Sequence, residues 1–238
     1  MRNRSLALGG ALWAACTAWG QGSMAFAPHQ TLGEAVKGAP YSAEEQYEQV
    51  VTASSGTQTV TVTKGRMLYR DSEGRVRTER EMTPGGKLKV VEILDPVGQY
   101  RWVLDTQHKV AHLVLPAPPP PPPKAVETLA TPPPPATPPP AQPKVTIEQL
   151  DGRILDGVAV VGSRSITVFP DGRTTRGESW YATELKMLVM TKMEYPDQPG
   201  QVFRLTNLHV SEPHPALFRV PADYTVVEER EPFVVEYQ

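Results

Sequence analysis

The chain has 238 residues, with 24 basic and 26 acidic side chains and a formal net charge of -2. With neither sign in excess, charge makes no case for nucleic acid as a partner. Hydrophobic content is ordinary for a globular protein, but proline, at 26 residues, is not, and more than half of it falls between Pro116 and Pro143.

The N-terminus has the form of an export signal. Arg2 and Arg4 precede an apolar stretch from Leu6 to Trp19, too short to span a bilayer comfortably and followed by small residues. This predicts a signal peptide over residues 1–20 and a periplasmic or secreted product. Cys16 is the sole cysteine, so cleavage after Gly20 leaves a chain without disulfides. Alternatively Ala14-Ala15-Cys16 is a lipobox and Cys16 carries a lipid anchor, a reading weakened by Trp13 where a branched aliphatic is expected. No later segment is apolar enough for a transmembrane helix.

Residues 21–40 carry no period and are expected to form a flexible lead-in. Ser42-Ala43-Glu44-Glu45 has the form of a capping box, but Tyr47 to Val51 reads better as a strand, given the run of strands on its C-terminal side. Thr57 to Thr63 alternates with period 2, and Asp71-Ser72-Glu73-Gly74 is a turn before the charged alternation Arg75 to Glu81. Lys89 to Leu94, Tyr100 to Leu104 and Val110 to Leu115 continue the series. Beyond the prolines come Val145 to Leu150, Val158 to Gly162, Ser165 to Phe169, Thr174 to Tyr181, Leu185 to Tyr195, Gln201 to Val210 and Val220 to Val227. His214 to Phe218 suits one helical turn. The strands alternate apolar and polar residues, as in an antiparallel meander with one face covered.

The tract Pro118 to Pro123 lacks backbone donors and must be extended, so it cannot be a central strand. Strands of the same character stand on both sides. The expected organisation is one β-rich domain over 41–228, interrupted by a disordered proline-rich loop over 116–143 and closed by a tail over 229–238. A short turn in place of Ala117 to Gln142 is expected to preserve it.

Two passages carry a resemblance. Gly38 to Val50 with Leu68 to Glu79, and Glu178 to Val226, resemble a group of uncharacterised secreted proteins of soil bacteria such as acidobacteria. More distantly, the second passage is similar to the lipoprotein carrier LolA and the sensor RseB, on its Trp-bearing strand, its long following strand and PALFRVPADY. That resemblance implies an incomplete β-barrel whose hollow holds lipid or acyl chains under short helices.

No motif for catalysis or phosphate binding appears. His108 and His112 lie about 13 Å apart if both are on one strand, too far for a shared metal. Arg75 to Arg80 reads as a solvated charged face. Met187 and Met193 differ in parity from Met190, so the three cannot all face inward. The expected fold is mainly β, a single curved antiparallel sheet with one or two short helices. The expected function is a non-enzymatic, exported binding or sensing protein without cofactors, its partner a lipid or an envelope protein. The alternative is a structural or interaction protein with a filled core. Candidates for an apolar ligand lining are Trp102, Trp180, Met190, Phe203, Leu205 and Phe218.

Overall fold

A computed structural model describes residues 22–28, 32–83, 85–116 and 142–237. The expected signal peptide with Cys16, and most of the proline-rich segment, lie outside the described residues. The strands in chain order are β1 (Gly22–Phe26), β2 (Tyr41–Thr52), β3 (Gln58–Arg70), β4 (Val76–Glu81), β5 (Lys89–Asp95), β6 (Tyr100–Asp105) and β7 (Val110–Val114). They continue as β8 (Lys144–Leu155), β9 (Val158–Val168), β10 (Thr174–Ala182), β11 (Met187–Glu194), β12 (Gly200–His209), β13 (Thr225–Glu229) and β14 (Phe233–Tyr237). Twelve of them form one sheet in the order β13-β7-β6-β5-β4-β3-β2-β12-β11-β10-β9-β8, and β1 pairs with β14. The large sheet is curved and open, since β13 and β8 each have a single neighbour among the described residues.

Local chemistry explains the hairpins. Between β8 and β9, Asp156 and Gly157 both take positive φ (48° and 81°), the pair of left-handed residues that a two-residue turn needs. Asp156 also accepts a hydrogen bond from Leu208 N at 2.7 Å, which ties this turn to the far end of β12 and curls the sheet. Between β3 and β4, Asp71 is fully buried. Its carboxylate accepts from Arg75 N (2.9 Å) and Nε (2.6 Å), so the turn is closed internally.

Three apolar clusters hold the layers together. Val90, Val103 and Val114 pack under the β1–β14 ribbon with Phe26, Val235 and Tyr237. On the other face of the same strands, Val91, Ile93, Leu104 and Ala111 pack against Phe218, with Leu217, Val220 and Tyr224 around it. Strands covered on both faces bury consecutive residues, which is why Val90-Val91 and Val103-Leu104 are apolar doublets rather than alternations. The third cluster joins Tyr41, Ala43 and Leu68 to Val158, Val160, Trp180, Ala182, Leu185 and Val189.

The region of Ser42 to Glu45 is strand, the reading preferred over a capping box, and the one helical element among the described residues is a single 3₁₀ turn, Pro215–Phe218, where one helical turn was expected. Its position is set by Arg77, whose Nη1 donates to Leu217 O at 2.8 Å, so Arg77 is a partly buried anchor and not part of a solvated face. The sheet is not antiparallel throughout. The segment 210–224 crosses from β12 to the edge and returns as β13, parallel to β7, with Thr225 opposite Val110. The lead-in and tail are not both irregular, because β1 and β14 pair from Gly22–Tyr237 to Phe26–Phe233 and stack the two phenylalanine rings at 5.3 Å.

The topology sets what the connection between β7 and β8 has to span. β7 and β8 lie ten ladders apart in the sheet, an arc of roughly 48 Å at about 4.8 Å per strand. Replacing residues 117–141 by a Gly/Ser segment of equal length should leave the thermal midpoint nearly unchanged. A four-residue turn, reaching about 14 Å at most, should abolish the cooperative transition in a thermal melt.

Glu45 and Glu79 make stability depend on pH. Glu45 is buried and accepts from Arg66 N (3.2 Å), Nε (2.9 Å) and Nη2 (2.7 Å). Burial works against its charge, but these bonds outweigh it and hold the carboxyl below its ordinary range. Glu79 behaves alike: burial opposes, while Arg77 and Lys89 lower it. A lowered folded-state pKa contributes stability above the unfolded value of about 4.3 and loses it as pH falls through the folded value. Glu45→Gln should therefore cost about 1–3 kcal/mol at pH 7 and much less at pH 3, as measured by urea unfolding at both pH values.

Candidate functional site

The concave face of β8 to β12 with β2 carries a broad hollow. Residues directly opposite in neighbouring antiparallel strands share a face. The register therefore sets Glu148, Arg164, Glu178, Lys192, Val202 and Glu48 in one row across β8, β9, β10, β11, β12 and β2. Two residues along, a second row runs Leu150, Gly162, Trp180, Met190, Arg204 and Gln46. The first row alternates charge over its first four members, and the second is built around an aromatic floor.

That floor is Trp180. A Cβ on Gly162 would lie 2.6 Å from Trp180 Cζ3, so glycine is what lets the indole lie flat on β9. The Arg153 guanidinium covers the ring with its carbon 3.6 Å from the centroid, a cation–π contact, and its Nη2 lies 3.7 Å from Met190 Sδ. Among the described residues Trp180 Nε1 has no hydrogen-bond partner.

Beside this indole, and sharing Met190 with its surroundings, opens a trough of about 1100 Å³. Val50, Val60, Met190 and Val202 give it an apolar strip, while Glu48, Arg176, Lys192, Glu194 and Arg204 line the rest. The segments 172–174 and 195–200 form its rim. A side hollow of about 340 Å³ continues it along Arg164, Ile166 and Glu178. The charges are matched locally: Arg204 with Glu48 (3.1 Å), Lys192 with Glu194 (2.7 Å) and Arg164 with Glu178 (2.7 Å). A hydrogen bond from Lys192 holds Glu194 below the usual carboxylate range.

The six residues expected to line a ligand do not come together. Trp102 and Phe218 belong to the cluster over β5 to β7, with the Arg75 guanidinium 5.3 Å from the Phe218 ring. Trp180 and Leu205 are core residues of the other cluster, and Phe203 packs beside it with its ring 5.4 Å from Tyr47. Of the six, Met190 is the one that lines the trough. The three methionines do not share a face, but Met187 departs from its parity because β11 pairs Met190 with Trp180 and Met187 with Ala182, which leaves Val189 as an extra residue. This bulge brings Met187 onto the face of Met190, while Met193 opposes Gly177 on the other. The trough's cations escaped sequence reasoning. The usable signal was the strict spacing of Arg164 from Ile166, Arg176 from Glu178 and Lys192 from Glu194, one face of three consecutive strands.

The histidines are apart in function as in space. His108 lies in a turn with Nδ1 2.7 Å from Asp105 Oδ2, and His112 on β7 reaches Glu229 Oε1 at 2.7 Å. Among the described residues no group of His, Cys, Asp or Glu is placed to hold a metal ion. No helix among them is long and apolar enough to cross a membrane, which says nothing of strands.

The fold and hollow define an open, curved-sheet β protein with a mixed trough on its concave side. No family model matches the chain, and no curated protein matches it. Among solved structures it is similar to an uncharacterized conserved protein from Thermus thermophilus, at 11% identity and TM-score 0.40, over 80% of this chain and 91% of that one. It is also similar to MucB in complex with MucA(peri), at 13% identity and TM-score 0.39, over 79% of this chain and 57% of that one. A third likeness is to a LolA superfamily protein from Nitrosomonas europaea, at 6% identity and TM-score 0.28, over 76% and 90% of the two chains. Likenesses this distant transfer no site residue.

Substituting Gly162 tests the floor. Gly162→Ala should push Trp180 off β9, cost about 1–3 kcal/mol and alter the near-ultraviolet circular dichroism. An unchanged spectrum and midpoint would show that the indole does not depend on that glycine.

Proposed function

We propose that this chain is a non-enzymatic binding protein of the cell envelope, and that its trough receives an extended amphipathic segment of a partner protein. The observation that carries this reading is the lining: an apolar strip of Val50, Val60, Val202 and Met190 beside a row of alternating charges. An extended chain offers the same repeat, side chains alternating at about 6.6 to 6.8 Å along one face. Charges already paired with neighbours suit recognition, since they can exchange one partner for another, and suit proton transfer poorly. A purely apolar acyl chain would have to lie against Arg176, Lys192 and Arg204 and leave them desolvated.

A lipid with an anionic headgroup is the second reading, favoured by those three cations beside the apolar strip. Export rests on the N-terminal sequence, and kinship with the secreted proteins of soil bacteria rests on the resemblance of Gly38 to Glu79 and Glu178 to Val226.

A photo-reactive amino acid at Val60 or Lys192, in cells that make the protein naturally, distinguishes these readings. Adducts with a protein of discrete mass, reduced roughly tenfold when Arg204→Glu is added, are expected; one charged contact is worth about 1.5–3 kcal/mol. Adducts with lipid alone would replace the partner segment by a lipid. No adducts at either position would remove the trough as a binding site.

A further inference from the structure

The large sheet ends in two strands that have no outer neighbour among the described residues. β13 is five residues long and terminates in Glu228 and Glu229. β8 is twelve residues long and exposed along most of its length, with Val145 and Ile147 57% and 67% exposed. An edge of this kind is a template for a further strand. Pro143, which has no N–H, precedes its regular part, and an irregularity in its pairing between Leu150 and Arg153 ends it.

We propose that β8 pairs antiparallel with β8 of a second copy of this chain, about a two-fold axis at Thr146, to give a homodimer with one sheet running through both copies. The proposal does not depend on what the trough binds.

The sequence of the edge is self-complementary about that residue. With the axis at Thr146, Lys144 stands opposite Glu148 of the second copy, Val145 opposite Ile147, and Thr146 opposite itself, and symmetry repeats each contact. The register of β8 on β9 fixes the faces. Lys144 and Glu148 share the face of Arg164, whereas Val145 and Ile147 lie on the other, opposite Thr167 and Ser165. Pairing therefore covers four exposed aliphatic side chains on one face and joins two ion pairs on the other.

The new ion pairs also complete a pattern already present. Along the concave face the row Lys192, Glu178, Arg164, Glu148 alternates in sign and stops at the open edge. In the dimer the next member is Lys144 of the second copy, of the sign the alternation requires. Lys144 has no ion-pair partner among the described residues of its own chain, and Glu148 keeps 61% of its side chain exposed beside Arg164. Neighbouring registers fail. An axis at Glu148 or at Lys144 sets like charges face to face, and one at Ile147 sets Lys144 against Leu150 and Val145 against Gln149.

A ladder this short makes a small interface, so the dimer should dissociate in the range of about 1–100 µM. Sedimentation equilibrium of the purified protein across that range, from about 1 to about 300 µM, should show reversible dimerisation. Lys144→Glu and Glu148→Lys should each weaken it at least about tenfold, the effect of losing roughly 1.4 kcal/mol, and the double swap should restore it. In a Cys16→Ser background, T146C should cross-link under mild oxidation and V161C, on β9 away from the edge, should not. A chain that stays monomeric throughout, or a double swap that fails to restore the dimer, overturns the proposal. A T146C variant that does not cross-link while dimers persist places the contact elsewhere and overturns it as well.

Discussion

The ladder between β2 and β12 is the contact on which the molecule depends. It joins two meanders, β2 to β7 and β8 to β12, each assembled from hairpins between neighbours in sequence. The ladder runs from Gly200–Val50 to His209–Ser42, with a bulge where Asn207 takes positive φ. Side chains reinforce it on both faces: Arg204 with Glu48 on one, and Phe203 with Tyr47 on the other. Without it the trough has no second wall, because Glu48, Val50 and Val60 come from one meander and Met190, Lys192 and Val202 from the other. A segment bound in the trough would lie across this seam.

A concave face this charged folds because it is self-neutralising. Arg164, Glu178, Lys192, Glu194, Arg204 and Glu48 are partly exposed and paired, so none pays the full desolvation cost of an isolated buried ion. The truly buried charges are elsewhere and are structural. Arg70 donates to Ala39 O at 2.8 Å and to Leu185 O at 2.5 Å, and its guanidinium sits 4.7 Å from the Tyr41 ring centroid. That single side chain links the start of β2 to the turn between β10 and β11. Rigidity at the base and adjustable ion pairs above it are a division of labour suited to holding a flexible occupant.

Much of this fold could be read from the amino acids. Alternation in Thr57 to Thr63, the Asp-Gly turn at 156–157 and the turn at 71–74 announce strands and hairpins, because their determinants are local. What could not be read is long-range. Nothing in Thr225 to Glu229 says that it runs parallel to β7, since that direction follows from the path of 210–224 and the anchor from Arg77 to Leu217. The pairing of Gly22–Phe26 with Phe233–Tyr237 joins the first and last described strands. Five-residue strands without strong alternation carry no signal until Val90, Val103 and Val114 offer them an apolar bed. For the trough, strand parity was the right tool, but the bulge at Val189 breaks it. Trp180 and Leu205 do not mark the trough, because they are core, while valines, Met190 and charged side chains line the opening.

The closing ribbon has a consequence for how the chain reaches this state. Its two strands are the first and the last described, and β13, also near the C-terminus, is needed to cover β7. The N-terminal meander can form its hairpins early, but Phe26, Val103 and Val114 stay uncovered until the last residues arrive. Contacts of such large sequence separation are slow to form, since loop closure must precede any gain from them. During that interval the outer edge of β7 and the bed beneath the ribbon are open to other chains. The period between emergence of β7 and arrival of β14 is therefore the time when this protein most needs a holding chaperone, and a C-terminal truncation would make that period permanent.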